Sequence, residues 1–409
     1  GITALQMDIK VKGITSKIMS EALEQAHKAR IFILDKMAQT ISEARPSLSR
    51  YAPRMHRMSI PVDKIGAIIG PGGRTIRAII EEAGVNWRPH TKGMKTPVLA
   101  HMLLDAGAIG ITCAKLGEAE VMAYAGIKDI LIANQVVGPR KIARLVNLRS
   151  RADVIVCVDD IRNVNMIGQT AANKGVTVRV LIEVNVGMDR AGVEPGEPAL
   201  ELAAQIAACN GVEFSGLMTW ESHALTVEPI EEKKRVITEA LDRLTETADL
   251  CRSNGHTIDI VSCGGTGTYW ISAFHPGITE IEAGGGIFGD IRYRTVFGAD
   301  LEYALTILCT VTSRADATRI ICDAGKKAMS SDAATPEPIG IPGVKSVALS
   351  AEHGKIVLEK EADDPDVGDQ VEFVAGYSDT TVVLHDELYA IRDGVVEAVW
   401  PLPGRGRVQ

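Results

Sequence analysis

A histidine and a lysine stand two residues apart where a short apolar stretch ends at Pro89, in the order His90, Thr91, Lys92. The residues that follow, 96–106, place their apolar side chains at helical spacing. Barrel enzymes carry their reactive groups between the carboxyl end of a parallel strand and the next helix. An amine shielded from water there loses its preference for the charged form and can hold an aldehyde as a Schiff base. Lys92 is therefore the candidate nucleophile, and the alternative is a solvated surface lysine.

Two glycine-rich stretches have the composition of anion-binding loops, and each follows an apolar stretch that is predicted to be a strand. They comprise Gly264, Gly265, Thr266, Gly267 and Thr268, and, after the next strand, Gly284, Gly285 and Gly286. Backbone N–H groups of such loops converge on an anion, and in a barrel the loops after strands seven and eight commonly bind phosphate. Either loop alone suits a tight turn, but both together favour a phosphate site.

A lysine that binds an aldehyde and a phosphate site at the same barrel mouth together suit pyridoxal phosphate. We expect Arg190, in the loop after strand five, and Trp220, after strand six, to contact this cofactor, as His90 does beside Lys92. A salt bridge at the barrel rim is the structural alternative for Arg190. His223 is the candidate general base, and the alternative is a rim histidine bonded to the backbone.

These residues need a scaffold that brings strand ends together, and residues 85–298 have the pattern of one. Apolar stretches of strand length alternate with amphipathic stretches of helical spacing. Eight such β/α units favour a closed parallel (β/α)8 barrel over an open sheet. The predicted strands are Val85–Thr91, Ala108–Cys113, Asp129–Ala133, Asp153–Val158, Thr177–Val186, Val212–Thr219, Ile258–Ser262 and Thr279–Ala283. The predicted helices include Glu118–Ala125, Pro139–Leu148, Ile161–Lys174, Pro198–Cys209 and Ile230–Ser253.

Residues 299–409 change to short alternating stretches and are predicted to form a small C-terminal β domain. Its strands are Ala304–Val311, Ile320–Asp323, Val344–Leu349, Lys355–Leu358, Gln370–Val374, Thr381–Leu384, Glu387–Arg392 and Val395–Val399. The chain is therefore predicted to be an α/β protein: a (β/α)8 barrel followed by this β domain, with an N-terminal appendage. The appendage divides into a helical segment with a connector, 1–54, and a shorter segment, 55–84.

Bulk composition excludes several classes of protein. The chain has 409 residues, too many for one ordinary domain. It contains no apolar run of the roughly 18 residues that a membrane span needs, and no signal-peptide pattern. The seven cysteines are scattered, odd in number and include no C-x-x-C motif, which is typical of buried thiols in a reducing compartment. We expect a cytoplasmic protein.

The first 85 residues differ in charge from the rest, with 13 Lys and Arg against 8 Asp and Glu, compared with 31 against 44 in the remainder. A helical region, 14–44, precedes a turn-rich connector, 46–53, and a short strand, 58–62, which leads through a short helix to the sequence GPGG at 70–73. A G-x-x-G turn between two helices lets a nucleic-acid backbone approach closely, with Arg74 available for a phosphate.

This N-terminal segment resembles polynucleotide phosphorylase. GITALQMDIKVKGIT is similar to the end of that enzyme's second core domain, and IPVDKIGAIIGPGGRTIRAIIEEAG is similar to the start of its KH domain. The two strands and the helix that complete a KH fold do not follow Glu82. We therefore expect a chimeric N-terminus whose last helix, 75–83, has been reused structurally. RNA binding through this segment is the alternative function from a different class.

Residues 84–409 resemble the D-threonine aldolase and D-serine dehydratase family, which consists of pyridoxal phosphate enzymes related to alanine racemase. The motifs are RPHTKGMKT, GAIGITCAKLGEAE, GIKDILIANQVVG, GMDRAGV, SCGGTGTY and DTTVVLHDELYAIRDGVVEAVWP. The resemblance implies that Lys92 forms the Schiff base, that Arg190 contacts the cofactor and that 264–268 and 284–286 form the phosphate cup. It also implies a homodimer in which the β domain closes the barrel mouth.

The activity implied by this resemblance is retro-aldol cleavage of a D-β-hydroxy amino acid to glycine and an aldehyde. Dehydration of D-serine or 3-hydroxy-D-aspartate is the nearest alternative, and racemisation is the third. These reactions differ in the position of one proton transfer, so the fold does not rank them.

A divalent metal, Mn²⁺, Mg²⁺ or Zn²⁺, is a further question. The resemblance implies a histidine and an Asp or Cys two residues apart as metal ligands, on one face of a strand, with the metal acting as a Lewis acid on the substrate hydroxyl. Asp379 matches, but Tyr377 stands in place of the histidine. Three interpretations stay open: a weaker site through Asp379 with water or His385, Tyr377 acting as an acid or base, or a branch of the family that uses no metal.

Overall fold

The computed structural model describes residues 13–43 and 70–409. The predicted connector at 46–53, the strand at 58–62 and the short helix after it lie outside the described residues. The chain divides into two compact units, 1–59 and 60–409.

The first unit contains a helix, Ser16–Ala38, which confirms the helical prediction for this region. Thr15 caps the N-terminus of this helix, because its side chain accepts a hydrogen bond from the Ile18 backbone N–H at 3.3 Å. None of the helix's residues is buried, and Phe32 and Met37 are among its exposed apolar side chains.

The described part of the second unit begins with a helix, Gly70–Ala83, which leads into the first strand. The backbone of 70–73 is already helical, so these glycines do not form the predicted turn between two helices. A proline in a first helical turn loses no hydrogen bond, and Pro71 is therefore compatible with this start. Ile76 and Ile80 are buried in the main core, so the helix is an integral part of the barrel.

Eight parallel strands form the barrel sheet in the order β1-β8-β7-β6-β5-β4-β3-β2. A parallel bridge between His90 and Thr112 completes the ring between β1 and β2. The strands are β1 Asn86–Trp87, β2 Ile111–Cys113, β3 Asp129–Gln135, β4 Asp153–Val158, β5 Val178–Glu183, β6 Val212–Met218, β7 Ile260–Cys263 and β8 Glu280–Ile281. The barrel prediction is therefore confirmed.

Helices cover the outside of these strands, and the strands are apolar on both faces. The principal helices are Pro97–Asp105, Leu116–Tyr124, Pro139–Leu148, Ile161–Asn173, Glu197–Ala207 and Ile230–Ser253. Ile130 and Ile132 of β3 join the main core, whereas Leu131 joins a second cluster with Ile155 and Leu181. Burial on both faces is what a parallel sheet covered by helices requires.

An antiparallel six-stranded sheet follows the barrel in the order β11-β14-β9-β10-β13-β12, with a hairpin of β15 and β16 after it. The strands are β9 Thr306–Asp316, β10 Arg319–Cys322, β11 Glu337–Pro338, β12 Val344–Leu349, β13 Gly354–Leu358, β14 Gln370–Val374, β15 Glu387–Arg392 and β16 Val395–Pro401. The predicted β domain is confirmed except at Thr381–Leu384, which is helical: Ser378–Thr381 is followed by a 3-10 turn, Val382–Leu384.

Among the described helices, none is long and apolar enough to cross a membrane. All seven cysteines are free, and six of them are buried.

Candidate cofactor site

Lys92 lies in a short 3-10 turn, Thr91–Gly93, shortly after β1. His90 precedes the turn, and its Nδ1 accepts a hydrogen bond from the Lys92 backbone N–H at 3.3 Å. Burial lowers the pKa of His90 well below its ordinary value, and the cations of Lys92, Lys95 and Arg190 lower it further. The His90 ring is therefore neutral at physiological pH, and it stabilises the turn that carries Lys92.

The amine of Lys92 lies beside a carboxylate from the C-terminal part of the chain. Lys92 Nζ is 3.4 Å from Asp379 Oδ2, and the Tyr377 hydroxyl donates to the same oxygen at 2.9 Å. Burial, followed by the charge of Asp379, raises the pKa of Tyr377 well above its ordinary value, so the phenol stays protonated. The Lys92 side chain is 41% exposed, and it is thus less shielded than the sequence argument required.

Tyr377 and Asp379 do not share one face of a strand, as the residue spacing predicted. Tyr377 is the extended residue before the short helix Ser378–Thr381, and Asp379 lies inside that helix. Asp290 Oδ2 accepts hydrogen bonds from the backbone N–H and the hydroxyl of Ser378, both at 2.8 Å. Burial raises the pKa of Asp290 to about 6. Asp290 therefore holds the turn that places the phenol next to the carboxylate.

The two glycine loops lie at the same end of the barrel as this turn. The Gly286 N–H donates to Thr266 Oγ1 at 3.0 Å and so joins the loop after β8 to the loop after β7. Gly284 packs on the backbone of His90, where an added Cβ would lie 2.0 Å from the His90 carbonyl oxygen. An added Cβ on Gly285 would lie 2.3 Å from the hydroxyl oxygen of Tyr293. Side chains larger than glycine do not fit at either position.

Four buried N–H groups of these loops have no acceptor within the described part of the chain: those of Thr266, Gly267, Gly284 and Gly285. Other N–H groups of the loops do have acceptors: Gly264 donates to Glu221, Gly265 to Thr268 and Gly286 to Thr266. A buried N–H without an acceptor costs about 1–3 kcal/mol. A bound phosphate would remove that cost, so the loops fit the phosphate of pyridoxal phosphate.

Glu221 lies shortly after the end of β6, and no role in this site was predicted for it from the sequence. Its fully buried carboxylate accepts hydrogen bonds from Thr268 Oγ1 at 2.7 Å, Ser272 Oγ at 2.6 Å and the Gly264 N–H at 3.3 Å. These bonds fix the loop after β7 from the end of β6. Its partners lie more than 40 residues further along the chain, and a lone glutamate in the sequence gives no signal of them.

Three other residues were predicted to contact the cofactor or the substrate: Trp220, Arg190 and His223. The ring of Trp220 packs on Gly265, where an added Cβ would lie 2.3 Å from Trp220 Cη2. Arg190 Nη2 is 3.4 Å from Glu183 Oε1, the salt bridge considered as its structural alternative. His223 packs on the loop after β5, and its Nδ1 has no hydrogen-bond partner in the described residues.

Comparison with known proteins agrees with this geometry. The family profile described as "Alanine racemase, N-terminal domain" matches residues 74–292, and a serine dehydratase domain profile matches 304–391. A D-threonine aldolase from Arthrobacter sp. is 36% identical over 340 residues, which cover 81% of this chain and 89% of that protein. The chain belongs to the D-threonine aldolase family.

Solved structures resemble this family member along most of its length. The crystal structure of D-threonine aldolase from Filomicrobium marinum has a TM-score of 0.80 and 34% identity, covering 83% of this chain and 93% of that one. The structure of D-threo-3-hydroxyaspartate dehydratase from Delftia sp. HT23 has a TM-score of 0.73 and 26% identity, with coverages of 84% and 95%.

The N-terminal segment of this family member has a separate relative. The polyribonucleotide nucleotidyltransferase of Koribacter versatilis (strain Ellin345) is 60% identical over 85 residues, which are 21% of this chain and 10% of that protein. The resemblance of the segment to polynucleotide phosphorylase is therefore confirmed, for a tenth of that enzyme's length.

Proposed function

We propose that this protein is a pyridoxal phosphate-dependent lyase that cleaves D-β-hydroxy amino acids to glycine and an aldehyde. The strongest support is that the lysine and the glycine loops lie at the same end of the barrel. There, Lys92 lies beside Asp379, and four buried N–H groups without an acceptor in the described residues lie in the glycine loops. When bound, the cofactor supplies an aldehyde for the substrate amine and a ring that accepts an electron pair. Similarity to the D-threonine aldolases supports the same reaction.

The residues of the mouth have distinct roles in this proposal. Lys92 binds the cofactor aldehyde and releases it to the substrate amine, and the N–H groups of Thr266, Gly267 and Gly285 hold the phosphate. Trp220 covers the cofactor from the β6 side, because its ring already packs on the phosphate loop. Arg190, which is paired with the buried Glu183, would contact the cofactor ring. Such fixed contacts restrict the bound substrate to one orientation.

Dehydration of 3-hydroxy-D-aspartate is the second candidate, because the structure resembles a D-threo-3-hydroxyaspartate dehydratase at 26% identity. The products separate the two reactions: an aldol cleavage releases glycine, whereas a dehydration releases ammonia and a keto acid. RNA binding has less support, since the predicted G-x-x-G turn is helical.

Reconstitution with pyridoxal phosphate tests the proposal. The wild-type protein should show the visible absorption band of a lysine-bound cofactor and should release glycine from D-threonine or 3-hydroxy-D-aspartate. Lys92→Ala should lose both the band and the activity. Lys234→Ala is the matched control, because Lys234 lies on the outer helix Ile230–Ser253 and pairs with Glu231. A wild-type protein that binds no cofactor would contradict the proposal.

Two further features belong to this proposal. We infer a homodimer, and the exposed apolar side chains of Tyr389, Ile391, Val395 and Val396 on the β15–β16 hairpin support an intersubunit surface. Light scattering of the purified protein tests it. We also infer a cytoplasmic location, which the free cysteines support.

A further inference from the structure

We propose that Asp379 is the base that takes the hydroxyl proton of the substrate, that Tyr377 holds it in position, and that no divalent metal acts between them. This inference rests on the proposed lyase function. It assigns the proton transfer to a carboxylate from the C-terminal part of the chain, instead of His223.

The side chains around Asp379 do not provide the ligand atoms that a divalent cation needs. The Tyr377 hydroxyl points its proton at Asp379 Oδ2 and therefore offers that side no ligand atom. Lys92 places a cation 3.4 Å from the same oxygen. His385, the other ligand considered, has its Nε2 2.7 Å from the Ala328 carbonyl oxygen. Across 13–43 and 70–409, no group of three His, Cys, Asp or Glu side chains is placed to hold a metal.

Asp379 has the properties of a base that is ready to accept a proton. Its side chain is only 10% exposed and lies beside Lys92, the residue that binds the reacting molecule. Its Oδ1 is buried and has no hydrogen-bond partner among the described residues. Because Oδ1 is closed to solvent, the proton of a bound hydroxyl would be accepted at Oδ2, the oxygen that lies beside Lys92 Nζ.

The surrounding residues fix the orientation of this carboxylate. Tyr377 binds Oδ2 at 2.9 Å, and Tyr293 packs edge-on against the Tyr377 ring with 5.8 Å between the ring centroids. Asp290 anchors Ser378, the residue between Tyr377 and Asp379. Gly93 leaves room for Asp379, since an added Cβ there would lie 2.4 Å from Oδ1.

The proton and electron balance of the step is complete. The substrate hydroxyl gives its proton to the Asp379 carboxylate, and its C–O bond becomes the C=O bond of the aldehyde as Cα–Cβ breaks. A bound cofactor would supply a ring able to hold the electron pair of the broken bond. The proton on Asp379 is returned to Cα, which restores the carboxylate, so glycine and the aldehyde together contain every atom of the substrate.

His223 is less well placed for this role. Its ring packs on Gly187, and it makes no hydrogen bond to Lys92 or Asp379 in the part of the chain that the structure describes.

The test compares reconstituted variants with the wild-type holoenzyme, and it measures kcat, KM, the visible cofactor band and Mn²⁺ binding by calorimetry. Asp379→Asn should keep the band and lower kcat by about 10²- to 10⁴-fold, the range of general base catalysis. His223→Asn should lower kcat less than tenfold. Asp386→Asn is the matched control, because Asp386 is an exposed carboxylate that pairs with Arg405.

The test of the metal begins with the wild-type protein and adds two variants of Tyr377. EDTA should leave wild-type kcat unchanged, and Mn²⁺ should not bind to the wild-type protein. Tyr377→His creates the histidine–aspartate pair and should gain Mn²⁺ binding, whereas Tyr377→Phe should lower kcat without gaining it. Activity that EDTA abolishes and Mn²⁺ restores would overturn the inference, as would a larger loss in His223→Asn than in Asp379→Asn. Failure of the proposed function would differ, since the wild type would then show neither band nor turnover.

Discussion

Replacing Glu282 with glutamine should change how the stability of this protein depends on pH. Glu282 follows β8, is 7% exposed, and accepts a hydrogen bond from Ser262 Oγ at 2.8 Å. Burial raises the pKa of its carboxyl from 4.5 to about 8, with Glu280 and Glu183 adding to the rise and Arg88 opposing it. The folded protein therefore keeps a proton on Glu282 at neutral pH, whereas the unfolded chain releases it.

The size and the sign of the effect follow from this difference. One pKa unit corresponds to about 1.4 kcal/mol, so a rise from 4.5 to about 8 corresponds to about 5 kcal/mol. The folded state binds the extra proton, so this contribution is fully present below pH 4.5 and is lost as the pH rises through about 8. Glutamine has nearly the same shape and does not titrate.

Urea unfolding of the apoprotein at several pH values between 6 and 9 measures the effect. The free energy of unfolding of Glu282→Gln minus that of the wild type should increase by about 1.4 kcal/mol per pH unit up to about pH 8. Glu246→Gln is the control, because Glu246 is exposed on the outer helix Ile230–Ser253 and does not contribute to the shift of Glu282. Its free energy of unfolding should differ from that of the wild type by the same small amount at every pH. Parallel pH profiles for the wild type and Glu282→Gln would refute the reasoning.

Three further predictions concern the site and its support. Glu221→Gln should weaken pyridoxal phosphate binding about tenfold, measured by titration of the apoprotein, because it removes a charged acceptor from three loop donors. Gly93→Ala should lower kcat in the glycine-release assay, since the new Cβ would displace Asp379; an unchanged kcat would contradict the packing. Ile76→Ala should cost about 2–5 kcal/mol in urea unfolding, because Ile76 is fully buried.

The barrel was predictable because its strands are apolar on both faces and its turns recur at regular intervals. Strand Asp153–Val158 and helix Pro139–Leu148 have the bounds that the pattern predicted. The first strand was the least accurate. Residues 85–91 were predicted as a strand, yet only Asn86 and Trp87 pair regularly. The Arg88 N–H donates to Ile281 O and the His90 N–H to Glu282 O, so the register slips by one residue around Pro89.

The prediction failed where a contact distant in sequence decides the local conformation. Thr381–Leu384 has the β-branched composition of a strand, but Asp290 binds Ser378 and turns the chain into a helix there. Composition gives no signal of a bond across 88 residues. The same reason hid Glu221 and Tyr293, whose roles depend on neighbours from other loops.

The N-terminal segment, which resembles part of a nucleotidyltransferase, contributes a helix to the core of the barrel. Its last helix, Gly70–Ala83, buries Ile76 and Ile80 in the barrel core. An added Cβ on Gly286 would lie 2.4 Å from Ile76 Cδ1, so this side chain packs directly on the phosphate loop. An amphipathic helix needs only its apolar face to serve this purpose. The segment whose sequence resembles the nucleotidyltransferase therefore contributes a helix that supports the glycine loop after β8.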